Sequence, residues 1–343
     1  MATPRHILVM RFSAMGDVAM TVPVIKEVLR QNPDLQITYV SRPGFAGFFS
    51  NIPRLNYFPA DLELLYNGLT GPLKLYKQLR KTAQYDAVAD LHDSLRSKFI
   101  RRLFQLDGVK NAYIDKGREE KKQLTRFPNK VLKPLKRTIE RYADVFRQLD
   151  LNMELDYRLH QEVKPVPESI TAIAGNKTSK WIGIAPFAKH TGKIYPLQKM
   201  EEVISTLDKE KVKIFLFGGS GQEQELCRQW QQQFGNVIST VRMLSMEDEL
   251  ALISNLDVML SMDSAGMHLA SLVGTPVVSV WGATHYYAGF LGYGQSEQNI
   301  VSDDIECRPC SVYGNKPCFR KDYACMQNIS AQMIVDKINT LIK

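Results

Sequence analysis

The sequence predicts an α/β protein built from two doubly wound domains, each with a parallel sheet, facing one another across a cleft. Three observations carry this expectation. Short apolar runs of strand length alternate with longer segments whose apolar residues recur at helical spacing. The alternation pauses once, at the polar, proline-bearing stretch "HQEVKPVPESI", and then restarts. The chain's 343 residues exceed one ordinary domain and suit two.

The elements follow in order. His6–Phe12 reads as a short buried strand and Asp17–Gln31 as a helix. Gln36–Ser41 ("QITYVS") is rich in β-formers, Pro72–Gln84 is helical, Asp86–His92 is a strand and Ser94–Gln105 a helix. Asn111–Ile114 is a further strand, and Leu135–Asp150 closes the first half as a helix. After the linker, strands are expected at Trp181–Pro186, Lys213–Phe217, Val237–Val241, Asp257–Ser261 and Pro276–Trp281. The helices between them are Leu197–Asp208, Gln222–Phe234, Met246–Ser254 and Ser264–Val273. A last helix, Ala331–Lys343, can pack on either domain. Alternating βα units imply parallel sheets covered on both faces. The domains are placed at residues 1–160 and 161–343.

Composition is that of a globular protein, with 44% hydrophobic and 23% charged residues. No run reaches the roughly 18 apolar residues of a spanning helix. "HILVM" is too short for a signal peptide and runs straight into Arg11, so a cytoplasmic protein is expected. The net charge of +8 favours an acidic partner. The excess concentrates between Lys116 and Arg141, where Lys130, Lys133 and Arg137 are among ten basic residues opposed by Glu119, Glu120 and Glu140. That run is either a solvated face or an anion-binding surface. Its only aromatics, Phe127 and Tyr142, are too few for the stacking platforms of a nucleic-acid binder.

In doubly wound sheets ligands bind outside the carboxyl ends of the strands. Four loops fall there: "SAMGD", "FAKHTGK", "FGGSGQE" and "SMDSAGMH". In the last, Asp263 precedes Ser264, Ala265 and Gly266, which open a helix whose N–H groups and dipole suit an anion; His268 on the first turn can donate to the same group. The competing reading makes Asp263 or Ser264 a plain N-cap and His268 a satisfied residue. Lys189 and Lys193 follow a strand and suit phosphate as point charges, or are simply solvated. A P-loop is excluded, because Phe187 stands where that motif needs glycine. The glycines of "FGGSGQE" serve a tight turn as well as a nucleotide. Asp17 is either a carboxylate at a helix start or a general base, with Gly16 permitting close substrate approach. Of five cysteines, Cys307, Cys310, Cys318 and Cys325 crowd the C-terminal region, as free thiols or as a structural four-thiolate zinc site. Disulfides are not expected in a cytosolic chain.

"MRFSAMGDVAMTVPVI" together with "MDSAGMHLASLVGTPVVSVWGAT" resembles the ADP-heptose:lipopolysaccharide heptosyltransferases of glycosyltransferase family 9. The resemblance runs from Ile7 to Thr284 and on into the Cys-rich tail. It implies a GT-B fold of two Rossmann-like domains, the first binding acceptor and the second the nucleotide-sugar, and an inverting transfer that needs no metal. It implies that Asp17 is the base and that Ser13 belongs to the opening motif beside the acceptor. Lys193 matches the lysine that meets the diphosphate, and Asp263, Ser264, Ala265, Gly266 and His268 match the nucleotide-sugar loop. Tyr195, Ala265 and "HYYAGFLGYG" depart from common relatives near the donor site, which leaves the sugar and base open. The basic run then suits an anionic glycolipid acceptor of lipid A–Kdo type and contact with the inner face of the inner membrane. The alternatives are a nucleotide-sugar epimerase of the same fold and a non-catalytic anion-binding protein.

Overall fold

The computed structural model describes residues 3–343. They divide into two compact units, one of residues 3–116 and 138–156, the other of residues 117–137 and 157–343.

Unit 1 carries five strands, β1 (His6–Met10), β2 (Gln36–Ser41), β3 (Leu55–Pro59), β4 (Ala87–Asp90) and β5 (Lys110–Tyr113), in the order β3-β2-β1-β4-β5. Every neighbouring pair is parallel. The three middle strands are almost wholly buried, which is why they read as unbroken apolar runs. β3 was absent from the sequence reading. It is a half-exposed edge strand, "LNYFP", whose polar positions and terminal proline dilute the β signal.

The helix expected over Asp17–Gln31 is two helices, Met15–Ala19 and Thr21–Gln31. Pro23 gives the reason. Within one continuous helix its ring would clash with the preceding turn and remove a hydrogen bond, whereas in the first turn of a new helix it costs neither.

Unit 2 has six strands, β6 (Trp181–Ala185), β7 (Lys213–Leu216), β8 (Val237–Ser239), β9 (Val258–Met262), β10 (Val277–Trp281) and β11 (Ile300–Ser302). Their order is β11-β10-β9-β6-β7-β8, again all parallel. This is the doubly wound Rossmann order, and in each unit the winding reverses beside the first strand. The C-terminal helix Ala331–Ile342 belongs to unit 2, where Ile334, Val335 and Ile338 join the core formed by β6, β7 and β9.

Two further helices, Arg118–Leu124 and Glu168–Ala174, lie in stretches read as a charge run and a linker. The first corrects the domain boundary: the basic segment Gly117–Arg137 packs with unit 2, not with the first domain. Its anchors are backbone and side-chain bonds. Leu135 N–H donates to the Tyr287 carbonyl at 2.9 Å, and the Lys121 ammonium sits 4.6 Å from the centre of the Phe290 ring.

Candidate active site

In unit 1 the winding reverses between β1 and β4, so the loops after those strands flank the place where a doubly wound sheet takes its ligand. The loop after β1 carries Ser13, Gly16 and Asp17, all partly exposed. Ala14 is the N-cap of the Met15–Ala19 helix, and Asp17, third in that helix, reaches back to accept from the Ala14 N–H at 3.1 Å. The same oxygen, Oδ2, pairs with Arg11 Nη2 at 2.6 Å. Asp17 is therefore not an N-cap but is fixed from two sides, while its side chain keeps 30% exposure.

Arg11 is 7% exposed and donates a second nitrogen to the Leu91 carbonyl at 2.8 Å, which ties the β1 and β4 loops together. In the β4 loop, buried Asp90 accepts from the His92 and Asp93 N–H groups. His92 Nδ1 accepts from Phe12 N–H, so the proton of the neutral ring sits on Nε2. Burial first, then the charges of Arg11 and Lys116, push the His92 pKa down to about 3.

In unit 2 the reversal lies between β6 and β9, and the loops after these strands hold the predicted anion-binding residues. Lys193 Nζ pairs with Asp263 at 2.8 Å, with side chains 15% and 3% exposed. The pair joins the β6 loop to the β9 loop. Ser264 occupies the N-cap position of the Ala265–Leu272 helix, but its side chain makes no cap bond; its hydroxyl lies 3.4 Å from Ser261 Oγ. Ser264 thus holds the cap position without making the side-chain cap bond.

Ser264, Ala265 and Gly266 are partly exposed, while His268 is buried. Gly266 is required for packing, since a Cβ there would stand 2.7 Å from Ala185 Cβ. Lys189 is exposed. Burial, then Lys189 and Lys193, lower the His190 pKa, so both ammonium groups act on one neighbourhood. "FGGSGQE" is accounted for by capping: Glu223 accepts from the Gly219 and Ser220 N–H groups, and Ser220 caps the helix in return.

The Cys-rich tail forms a layer behind the β6 loop that the sequence did not announce. Cys310 and Ser311 N–H groups both donate to the Ala283 carbonyl, and buried Arg308 donates to the Gly282 and Thr284 carbonyls. Gly314, at φ +73°, lies against the Lys193 stem, where a Cβ would come within 2.6 Å of Cγ. The four tail cysteines line one pocket as free thiols. Among the described residues no group of three or more His, Cys, Asp or Glu side chains is arranged to hold a metal ion, so the zinc expectation gains no support.

The basic run meets the same unit. Lys130 Nζ donates to the Glu306 carbonyl at 3.1 Å, and Arg137 pairs with Glu297 at 3.2 Å and lies over the Tyr157 ring. Lys133 is exposed. Among the described residues no helix is long and apolar enough to cross a membrane.

Two Rossmann-like units, each with its parallel sheet wound about the first strand, give a fold of GT-B class. The family model for glycosyltransferase family 9 (heptosyltransferase) matches residues 72–318, and the chain belongs to that family. Lipopolysaccharide heptosyltransferase 1 of Campylobacter coli is 23% identical over 295 residues, covering 82% of this chain and 85% of the relative. The Pseudomonas aeruginosa protein of the same name is 24% identical over 323 residues, covering 89% and 86%. Among solved structures, a family 9 glycosyltransferase of Veillonella parvula superposes with a TM-score of 0.77 at 18% identity, covering 98% of this chain and 97% of that one. ADP-heptose lps heptosyltransferase II of E. coli superposes at 0.70 with 19% identity and 98% coverage of both chains.

Proposed function

We propose that this enzyme moves heptose from ADP-heptose to an inner-core lipopolysaccharide acceptor of lipid A–Kdo type, with inversion at the anomeric carbon. The observation that carries the reading is the placement of Asp17 at the reversal point of one sheet, and of Lys193 with the Ser264–His268 segment at that of the other.

The acceptor oxygen forms a bond to the anomeric carbon as the bond from that carbon to the diphosphate breaks. The electron pair leaves with the diphosphate, and the acceptor proton passes to Asp17 as general base. Ser13 and Gly16 line the acceptor side. Charge grows on the departing diphosphate, and Lys193, Lys189 and the N-terminus of the Ala265–Leu272 helix stabilise it. Ser264 Oγ and His268 add donors. With those cations in place the reaction needs no metal.

Lys133 stands exposed in a segment that also exposes Phe127 and Leu132, at 56% and 55%. Basic side chains interleaved with bare apolar ones suit an anionic bilayer surface, each lysine near the surface contributing about 1 kcal/mol. The enzyme accordingly works as a peripheral protein at the inner face of the inner membrane, and Lys130, Lys133 and Arg137 serve the anionic headgroups there.

Incubation of the purified protein with ADP-heptose and Kdo-lipid A, read by mass spectrometry, is expected to add one heptose to the lipid. Donor isomerised without acceptor would favour an epimerase, and no turnover of any nucleotide-heptose would contradict the assignment. Binding to anionic vesicles is expected to fall when Lys133 and Lys136 are reversed to glutamate, with transfer to a soluble acceptor unchanged.

A further inference from the structure

One helix layer of unit 1 exposes large apolar side chains beside basic ones. The helices Gly71–Thr82 and Leu95–Leu106 connect β3 to β4 and β4 to β5, so both start at the carboxyl ends of the parallel strands and run back in the same direction. They pack side by side: the Tyr76 and Phe104 rings lie 5.0 Å apart, and Arg80 donates to Asp107 at 3.3 Å. Their inner faces, with Leu75, Leu79 and Ile100, join the core over β1 and β4.

The segment that leads into the first of these helices is held at several points. Leu62 is buried in that core and Tyr66 packs against it. The Asp61 carboxylate accepts from the Glu63 and Leu64 N–H groups, and the Asp61 carbonyl accepts from Tyr66 N–H. Gly71 lies so close to Tyr66 that a Cβ there would stand 2.0 Å from the Tyr66 carbonyl oxygen. Between these anchors Leu64, Leu65 and Leu69 are 77%, 65% and 101% exposed. Leu73 on the first helix is exposed, as are Leu95 and Phe99 on the second, four residues apart and so on one face. These six side chains lie at the end of the sheet where the Asp17 loop also emerges. Pinned in this way, the segment presents its leucines to solvent, at a cost that an apolar partner removes.

The charge says what covers them. Each helix holds four lysines or arginines and no Asp or Glu. Arg80, Lys98 and Arg101 are matched by Asp107, Asp93 and Asp90. Lys74, Lys77, Lys81 and Arg102 are exposed. In the leading segment Asp61 is used in its own turn and Glu63 pairs with Arg42. Two copies brought together through this face would oppose like charges. A nucleic acid would need stacking aromatics, and Phe99 is the one aromatic among the six. Bare leucines rimmed by lysine and arginine match an anionic lipid surface, whose headgroups take the cations while the acyl boundary takes the leucines.

We propose that this face of unit 1 docks on an anionic phospholipid bilayer. Leu64, Leu65 and Leu69 enter the boundary between headgroups and acyl chains, and Lys74, Lys77 and Arg102 meet lipid phosphates. Docking by this face turns the end of the sheet that carries Asp17 toward the lipid, where a lipid-anchored acceptor resides. That consequence rests on the transfer reading above, whereas the docking does not.

Sedimentation of the full chain tests this, with vesicles of phosphatidylcholine alone and of phosphatidylcholine with phosphatidylglycerol. The protein is expected to bind the second kind and to be released by salt. Leu65→Ser with Leu69→Ser is expected to weaken binding at least about 10-fold, since two leucines lose their burial in lipid. Lys74→Glu with Lys77→Glu is expected to weaken it and to flatten its salt dependence. Both double variants replace exposed side chains, so melting temperature should hold and transfer to a deacylated acceptor should stay within about twofold. Leu69→Trp is expected to give fluorescence that brominated lipid quenches, against three native tryptophans that are all buried. Unchanged vesicle affinity in both double variants, or no quenching in Leu69→Trp, overturns the docking face and leaves the transfer reading intact. A dimer of the native protein that the leucine variant dissolves overturns it in favour of a second copy. A protein that binds vesicles through this face yet transfers no sugar overturns the transfer reading alone.

Discussion

Asp17→Asn is expected to abolish transfer while leaving donor affinity unchanged. The substitution keeps an oxygen that can accept from Ala14 N–H and from Arg11, the two contacts that fix the side chain, so the loop stays in place. What it removes is the capacity to take a proton. General-base assistance is worth about 10²–10⁴ in rate, and the turnover number should fall by that factor. The residues proposed to bind the donor lie in the other unit, so donor affinity should be blind to the change. Arg11 is buried, so the variant also loses part of a charge pair, and a lowered melting temperature is expected. Single-turnover rates measured below the shifted melting temperature separate the two effects. Transfer within tenfold of wild type would reduce Asp17 to a structural partner of Arg11.

Lys193→Met should cost about 10²–10³ in kcat/KM, with most of the loss in kcat, because in the proposed reaction the charge it meets develops on the departing diphosphate. The prediction has a structural complication that makes it sharper. Asp263 is 3% exposed, and removing Lys193 leaves its carboxylate buried with that partner gone, a change worth about 3–5 kcal/mol of stability. The pair Lys193→Met with Asp263→Asn removes both charges. Its melting temperature should recover most of the single variant's loss, while transfer stays as low as in the single variant. If the double variant regained activity together with stability, Lys193 would be a scaffold residue and not the group that meets the diphosphate.

How far these sites could be read from the sequence depended on whether the signal was local. The loops after β1, β6 and β9 were legible, because an apolar run followed by small residues and a helical pattern is a property of neighbouring residues. The break between the Met15–Ala19 and Thr21–Gln31 helices was signalled by Pro23 and was passed over, since the apolar spacing continues across it. The edge strand β3 lacked the burial that writes a strand into sequence.

The larger misreading was the basic run. Its charge pattern was plain, but the unit it joins is decided by contacts such as Lys121 with Phe290 and Leu135 with Tyr287, more than 150 residues apart. The tail behaves likewise. The cysteine spacing drew attention to a metal, whereas the structure gives the segment a mechanical part, with Gly314 lying on the Lys193 stem and Arg308 bonded beneath Ala283.

The account depends on a single displacement in which Asp17 takes a proton and never bonds to sugar. The anomeric configuration of the product tests this most directly. With a donor of known anomer, the one-bond carbon–hydrogen coupling of the newly linked heptose, read by NMR, should report the opposite configuration. Retention of the donor configuration would require two successive displacements, or another course at the anomeric carbon, and would contradict the assignment of Asp17 as a base.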